Sequence, residues 1–153
     1  REEKAESLVK EMKDEISRAA GQATLTGKHP RVLIIEFMGS DISVYGEETL
    51  AGDILRRMNG ELLASGQQQI SKEQIIEMDP DAIFVILIEG DYDHPKQKLD
   101  MLYHEQALRD VRCIREKRVY PLPLYSVYSS GIRTLDGIRY IGKGLYPDLY
   151  KEQ

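Results

Sequence analysis

Two short, unbroken apolar runs constrain this chain more than any other feature. Val32-Leu-Ile-Ile35, within residues 31–37, and Ala82-Ile-Phe-Val-Ile-Leu-Ile88 both lack the polar alternation of a strand that is wet on one face. Runs of this length, rich in β-branched residues and bounded by turn signals, fit strands covered on both faces. A third strand is expected at Arg118-Val-Tyr-Pro-Leu122. Between these runs the pattern changes to helical spacing. Ala5, Leu8, Val9, Met12, Ile16 and Ala19 make one apolar stripe, so a helix is expected over residues 1–20, with Gly21 as its stop. Further helices are expected over 48–58, 71–78, 96–108 and 131–143. Ser71 and Gln74 have the spacing of a capping box, and Asp79-Pro80 ends the helix they open. Strands alternating with helices predict an α/β fold, a three-layer parallel sheet flanked by helices.

Composition narrows the function. With 21 basic residues against 26 acidic ones the net charge is −5, the wrong sign for a nucleic-acid grip. The longest apolar run falls far short of the roughly 20 residues of a spanning helix. One cysteine, Cys113, excludes an intrachain disulfide and a cysteine-based metal cluster, and its apolar neighbours Val111 and Ile114 make it a small buried hydrophobe. A chain that opens on Arg1, with Met12 its first methionine, is expected to be part of a longer protein. No phosphate-cradling loop, dinucleotide fingerprint, nucleophile elbow or His-Glu-x-x-His pair is present. His29, His94 and His104 are too scattered for a zinc site. Only His94 falls in a candidate ligand loop, as an iron ligand or as a solvated side chain. The residues do not describe an enzyme.

Parallel α/β sheets place ligands at the carboxyl ends of their strands. Here those ends lead into loops at 38–46, 89–94 and 123–130, and each carries tyrosine: Tyr45, Tyr92, and Tyr125 with Tyr128. The chain has nine tyrosines, two phenylalanines and no tryptophan. A tyrosine offers a flat apolar face and a phenolic oxygen that can hydrogen-bond or, once ionised, bind ferric iron. The competing reading is that such rings merely seal the edge of the sheet.

Five segments occur in a telling order: Val32-Leu-Ile-Ile-Glu36, Ser71-Lys-Glu-Gln-Ile-Ile-Glu-Met-Asp-Pro-Asp-Ala-Ile83, Arg118-Val-Tyr-Pro-Leu122, Ser130-Gly-Ile-Arg-Thr-Leu-Asp-Gly-Ile138 and Tyr146-Pro147. Together they resemble the C-terminal lobe of ABC-transporter substrate-binding proteins for iron–siderophore, haem and cobalamin compounds. The resemblance implies one lobe of a two-lobed protein, with ligand held between the lobes. Residues 1–21 would be the C-terminal part of the helix that links them, residues 31–150 the C-terminal lobe, and the N-terminal lobe would be a missing partner in cis. It also implies no catalysis and no intrinsic cofactor. The cargo would be an Fe(III) chelate, haem or cobalamin, the partner a membrane permease and the location extracytoplasmic, periplasmic or lipid-anchored.

By loop position, Tyr45, Tyr92, Tyr125 and Tyr128 would grip the ligand. Arg133 resembles an arginine near the family's cleft, able to meet an anionic ligand through paired donors; pairing with Asp136 is the alternative. Glu73 resembles the glutamate that docks into arginine pockets of the permease, although a glutamate in a first helical turn also suits the helix dipole. Two other classes stay open at this point: a doubly wound α/β enzyme, and a cofactor-assembly domain of related fold.

Overall fold

The computed structural model describes residues 2–128 and 133–150. Helix α1 (Glu2–Thr26) leads into strand β1 (Arg31–Met38), which turns back as β2 (Asp41–Val44). There follow α2 (Leu50–Arg57), the two-residue strands β3 (Glu61–Leu62) and β4 (Gln69–Ile70), α3 (Lys72–Met78) and β5 (Ala82–Leu87). Helices α4 (Pro95–Tyr103) and α5 (Arg112–Arg115) precede β6 (Val119–Pro123), and α6 (Thr134–Leu145) closes the lobe.

One mixed sheet runs β4-β2-β1-β5-β6, with β3 pairing beside the start of β1. The three anticipated strands are its parallel centre: β5 lies between β1 and β6, with Ile34 opposite Phe84 and Phe84 opposite Tyr120. The pleat separates two cores. Val32, Ile34, Ala82, Phe84, Ile86 and Leu122 face α1, α2 and α6, while Leu33, Ile35, Ile83, Val85 and Leu87 face α3, α4 and α5. That double covering is why both runs carry no polar alternation.

The sheet is not wholly parallel, as the sequence led us to expect. Residues 38–46, expected as a loop, form a hairpin: Gly39 turns the chain at φ +65°, and Asp41–Val44 pairs antiparallel with Ile35–Met38. Only Ile42 of this strand is fully buried, so its polar, half-wet pattern hid it among loop residues. β3 and β4 are too short to show any period. Helix α1 also passes through Gly21, which points into open space, and ends at Gly27, whose φ of +70° suits a left-handed stop. Buried Ala19 and Ala23 on either side of Gly21 supply the packing that carries the helix through it. The helix expected over 96–108 divides: α4 stops at Tyr103, a 3-10 turn spans Gln106–Leu108, and α5 follows. The last helix starts at Thr134, after Arg133 in a turn; Gly131, its expected first residue, lies outside the described residues.

Helix α3 forms as its sequence dictates. Ser71 accepts the Gln74 backbone N–H at 3.2 Å, and the Gln74 side chain accepts the Ser71 backbone N–H at 2.9 Å. Asp79 closes it in the left-handed region at φ 44°, held by Arg112, which also pairs with Asp81.

The free edge of β6 has a particular chemistry. Arg118 offers its carbonyl inward to the N–H of Ile83 at 3.2 Å, so Val119, Pro121 and Pro123 turn their backbone outward. The outward N–H of Val119 donates to the Tyr103 hydroxyl at 3.2 Å, and the two prolines have no N–H to offer. No helix among the described residues is long and apolar enough to cross a membrane.

Candidate functional site

The carboxyl ends of β1, β5 and β6 open on one rim, where Met38 and Ile88 are about half exposed. Beyond β5 a 3-10 turn at Glu89–Asp91 is pinned by the Asp91 carboxylate, which accepts the Ile88 N–H at 3.2 Å. This turn delivers Tyr92. Beyond β6 a second 3-10 turn, Leu124–Ser126, is fixed by the Ser126 hydroxyl donating to the Pro123 carbonyl at 2.6 Å, and it delivers Tyr125. Gly137 of α6 lies against the Ser126 carbonyl, where a side chain would collide, so α6 passes close beneath that turn.

Tyr125 is the centre of the resulting cluster. Its ring meets Tyr92 edge-on, with centroids 5.3 Å apart and planes at 89°. The Arg133 guanidinium lies over the Tyr125 ring at 5.0 Å, a cation–π contact. Tyr140, from α6, completes the group; burial and hydrogen bonding with Tyr125 push its phenol up from the ordinary value. Tyr92, Pro95, Pro121, Pro123, Tyr125 and Tyr140 line a cavity of about 190 Å³. Its walls are these aromatic and proline side chains together with Leu87, a mainly apolar lining suited to a flat ligand.

Tyr92, Tyr125 and Arg133 thus come together, while the other predicted residues do not join them. Tyr45 was expected in a loop at the strand ends. The hairpin instead carries it back below the rim, where its N–H donates to the Ile34 carbonyl at 2.9 Å and its hydroxyl to Glu36 at 2.6 Å. Burial and the Glu36 carboxylate raise the Tyr45 phenol well above its usual range. Tyr128 is 78% exposed. Arg133 meets Tyr125 and makes no ion pair with Asp136. Glu73 lies in the first turn of α3 at the opposite, β4 edge of the sheet, exposed and without an ion pair among the described residues, whereas its neighbour Lys72 pairs with Glu105 at 2.6 Å. Ser130 to Ile132, part of one of the resembling segments, lie outside the described residues.

Nothing of metal chemistry gathers elsewhere among the described residues. His94 precedes α4 and His29 contacts the Asn59 carbonyl at 2.8 Å. Cys113 is fully buried and its thiol pushed up to about 12 by burial, which keeps it neutral at neutral pH. A larger cavity of about 370 Å³ lies at the amino ends of the strands, beside Lys28, His29 and Arg118, far from the tyrosines. Tyr140 is the one cluster member that sequence reasoning passed over. Its signal was a half-buried aromatic on the wet face of α6, beside Asp136, Arg139 and Lys143.

The chain belongs to the periplasmic binding protein family, whose model matches residues 1–125. Among solved structures it resembles a periplasmic binding protein from Veillonella parvula DSM 2008, at 37% identity and a TM-score of 0.90, over 97% of this chain and 46% of that one. An uncharacterized ABC transporter substrate-binding lipoprotein of Bacillus subtilis (strain 168) is 26% identical over 99% of this chain and 47% of its own length. The iron-uptake system-binding protein of the same organism is 24% identical over 78% of this chain and 40% of its own. The chain therefore spans less than half the length of each. Membership of a binding-protein family bears out the non-catalytic reading of the sequence.

Proposed function

We propose that this lobe forms one wall of a ligand cleft in the substrate-binding component of an ABC importer, and that the cargo is an iron chelate. The observation that carries the reading is the Tyr92–Tyr125–Arg133 cluster at the strand carboxyl ends, in a chain of this family. Similarity to an iron-uptake binding protein favours iron over other cargo. Aromatic faces hold the apolar body of a chelate, and Arg133 offsets its negative charge. The ligand is a transported substrate, so the protein holds no resident cofactor. Such a component works outside the cytoplasmic membrane.

The first turns of α1 support a linking role. Ala5 and Val9 of its apolar stripe are exposed, while Met12, Ile16, Ala19 and Ala23 pack on the lobe. In this reading residues 1–21 belong to the linking helix, 31–150 to the lobe, and a second lobe in the complete protein closes the cleft. Exposed Tyr128 would add a minor contact at its margin, while Tyr45 stays bound to Glu36 below the rim.

The test is a titration of the full-length protein with ferric hydroxamate, catecholate and carboxylate chelates, haem and cobalamin, followed by tyrosine fluorescence. Saturable binding of a ferric chelate is expected, and markedly weaker binding by the present chain alone. Silence across the panel would sink the reading, and preference for haem or cobalamin would displace the iron chelate.

Glu73 is proposed as the contact with the permease. An exposed ion pair contributes about 0.2–1 kcal/mol, so Glu73→Gln is expected to slow uptake by up to about fivefold with no change in ligand affinity. Unchanged uptake would return Glu73 to a helix-dipole role.

A further inference from the structure

We infer that the ligand site continues round Tyr125 into a basic side pocket on α6, where Arg139 and Lys143 receive the carboxylate of an aromatic acid and Tyr140 serves both compartments. This rests on the reading of the tyrosine slot as the ligand site. Next to the 190 Å³ slot lies a second cavity of about 270 Å³, lined by Tyr125, Asp136, Arg139, Tyr140 and Lys143. Tyr125 and Tyr140 line both cavities, so the two residues form a party wall between them. Asp136, Arg139, Tyr140 and Lys143 recur at three- and four-residue steps along α6, which sets them on one face of the helix.

The charge of this pocket is unbalanced. It holds Arg139 and Lys143 against Asp136 alone, and Arg133 lies over the ring of its lining residue Tyr125. Neither Arg139 nor Lys143 makes an ion pair among the described residues, although nine such pairs occur elsewhere among them. Two uncommitted cations beside an aromatic wall match a ligand that carries its negative charge directly on a ring. An apolar arm alone would fill only the slot. A small inorganic anion would leave the party wall unused.

The experiment titrates this chain with benzoate and, separately, with benzamide, a neutral molecule of nearly the same shape. Binding is followed by the ring-proton NMR signals of the tyrosines. Benzoate is expected to bind at least tenfold more tightly than benzamide and to move the signals of both Tyr125 and Tyr140. The exposed double change Arg139→Gln/Lys143→Gln should remove that difference without altering the thermal midpoint. Arg57→Gln, on the outer surface of α2, should leave it intact. Equal affinities, no binding of either probe, an unchanged ratio in the double variant, or loss of the ratio in Arg57→Gln would each overturn the inference. Chelate titration of the full-length protein fails or succeeds independently. Benzoate discrimination without chelate binding would sink the transport reading and leave the side pocket standing.

Discussion

Replacing Tyr125 with alanine is expected to weaken chelate binding by about 30-fold or more, the loss typical of a central aromatic anchor worth about 2 kcal/mol. The size of the effect follows from its position. The ring is at once the edge-on partner of Tyr92, the platform under Arg133 and the wall shared with Tyr140. Its removal releases all three, so the slot loses its shape along with one surface. Stability should suffer much less, because an aromatic pair and an exposed cation–π contact contribute about 0.5–1.5 and 0.5–1 kcal/mol respectively. Tyr125→Phe separates ring from hydroxyl: it keeps the Tyr92 and Arg133 contacts and loses only the link to Tyr140. Tyr128→Ala, at a ring 78% exposed, should stay within about twofold of the parent affinity. Isothermal titration of the three variants in the full-length protein checks the ordering. Equal losses in Tyr125→Ala and Tyr128→Ala would refute a site centred on Tyr125.

The largest effect on stability is expected at Phe84. Its ring is fully buried in β5, lies 5.7 Å from the Tyr120 ring and supports α6 at Gly144. Phe84→Ala should cost about 3–5 kcal/mol, a large share of the roughly 5–15 kcal/mol that holds a typical domain together. Gly144 is the other half of the contact. A methyl group there would strike the tip of the Phe84 ring, so Gly144→Ala should cost about 1–3 kcal/mol despite alanine's better helix propensity. The two changes are coupled in a checkable way. In the double variant the added methyl occupies space that the phenyl ring has left, so the combined loss should fall short of the sum. Urea unfolding of the four proteins measures this. Strict additivity would mean that α6 does not rest on Phe84 as described.

The central strands were legible because burial on both faces leaves an unmistakable record: residues 32–35 and 82–87 are apolar without interruption and all buried. Capping chemistry was equally readable at Ser71 and Gln74, because their reciprocal hydrogen bonds need only local backbone. The hairpin was not. Asp41-Ile-Ser-Val44 is short and polar enough to pass for a loop, and only pairing with β1 makes it a strand. The misplacement of Tyr45 follows directly, since strand direction decides which end of the sheet a residue reaches. Gly21 misled for the opposite reason: its local signal was real, but packing of Ala19 and Ala23 overrode it. At the site, tyrosines on loops at strand ends were readable from topology alone. Tyr140 needed the third dimension, because a helix brings it to Tyr125 from the other side of the edge strand.

The sealed margin of β6 bears on how the lobe comes into being. An unfinished sheet is most hazardous while its strands are formed but its neighbours are not, because an open row of N–H groups recruits any extended chain nearby. Pro121 and Pro123 disarm that row from the moment the strand exists, before any helix has docked. Tyr103 closes the remaining position only once α4 has folded. At the other margin β4 is two residues long, too brief to template a partner. Crowded nascent copies of this lobe are therefore expected to find little open ladder at either described margin of the sheet.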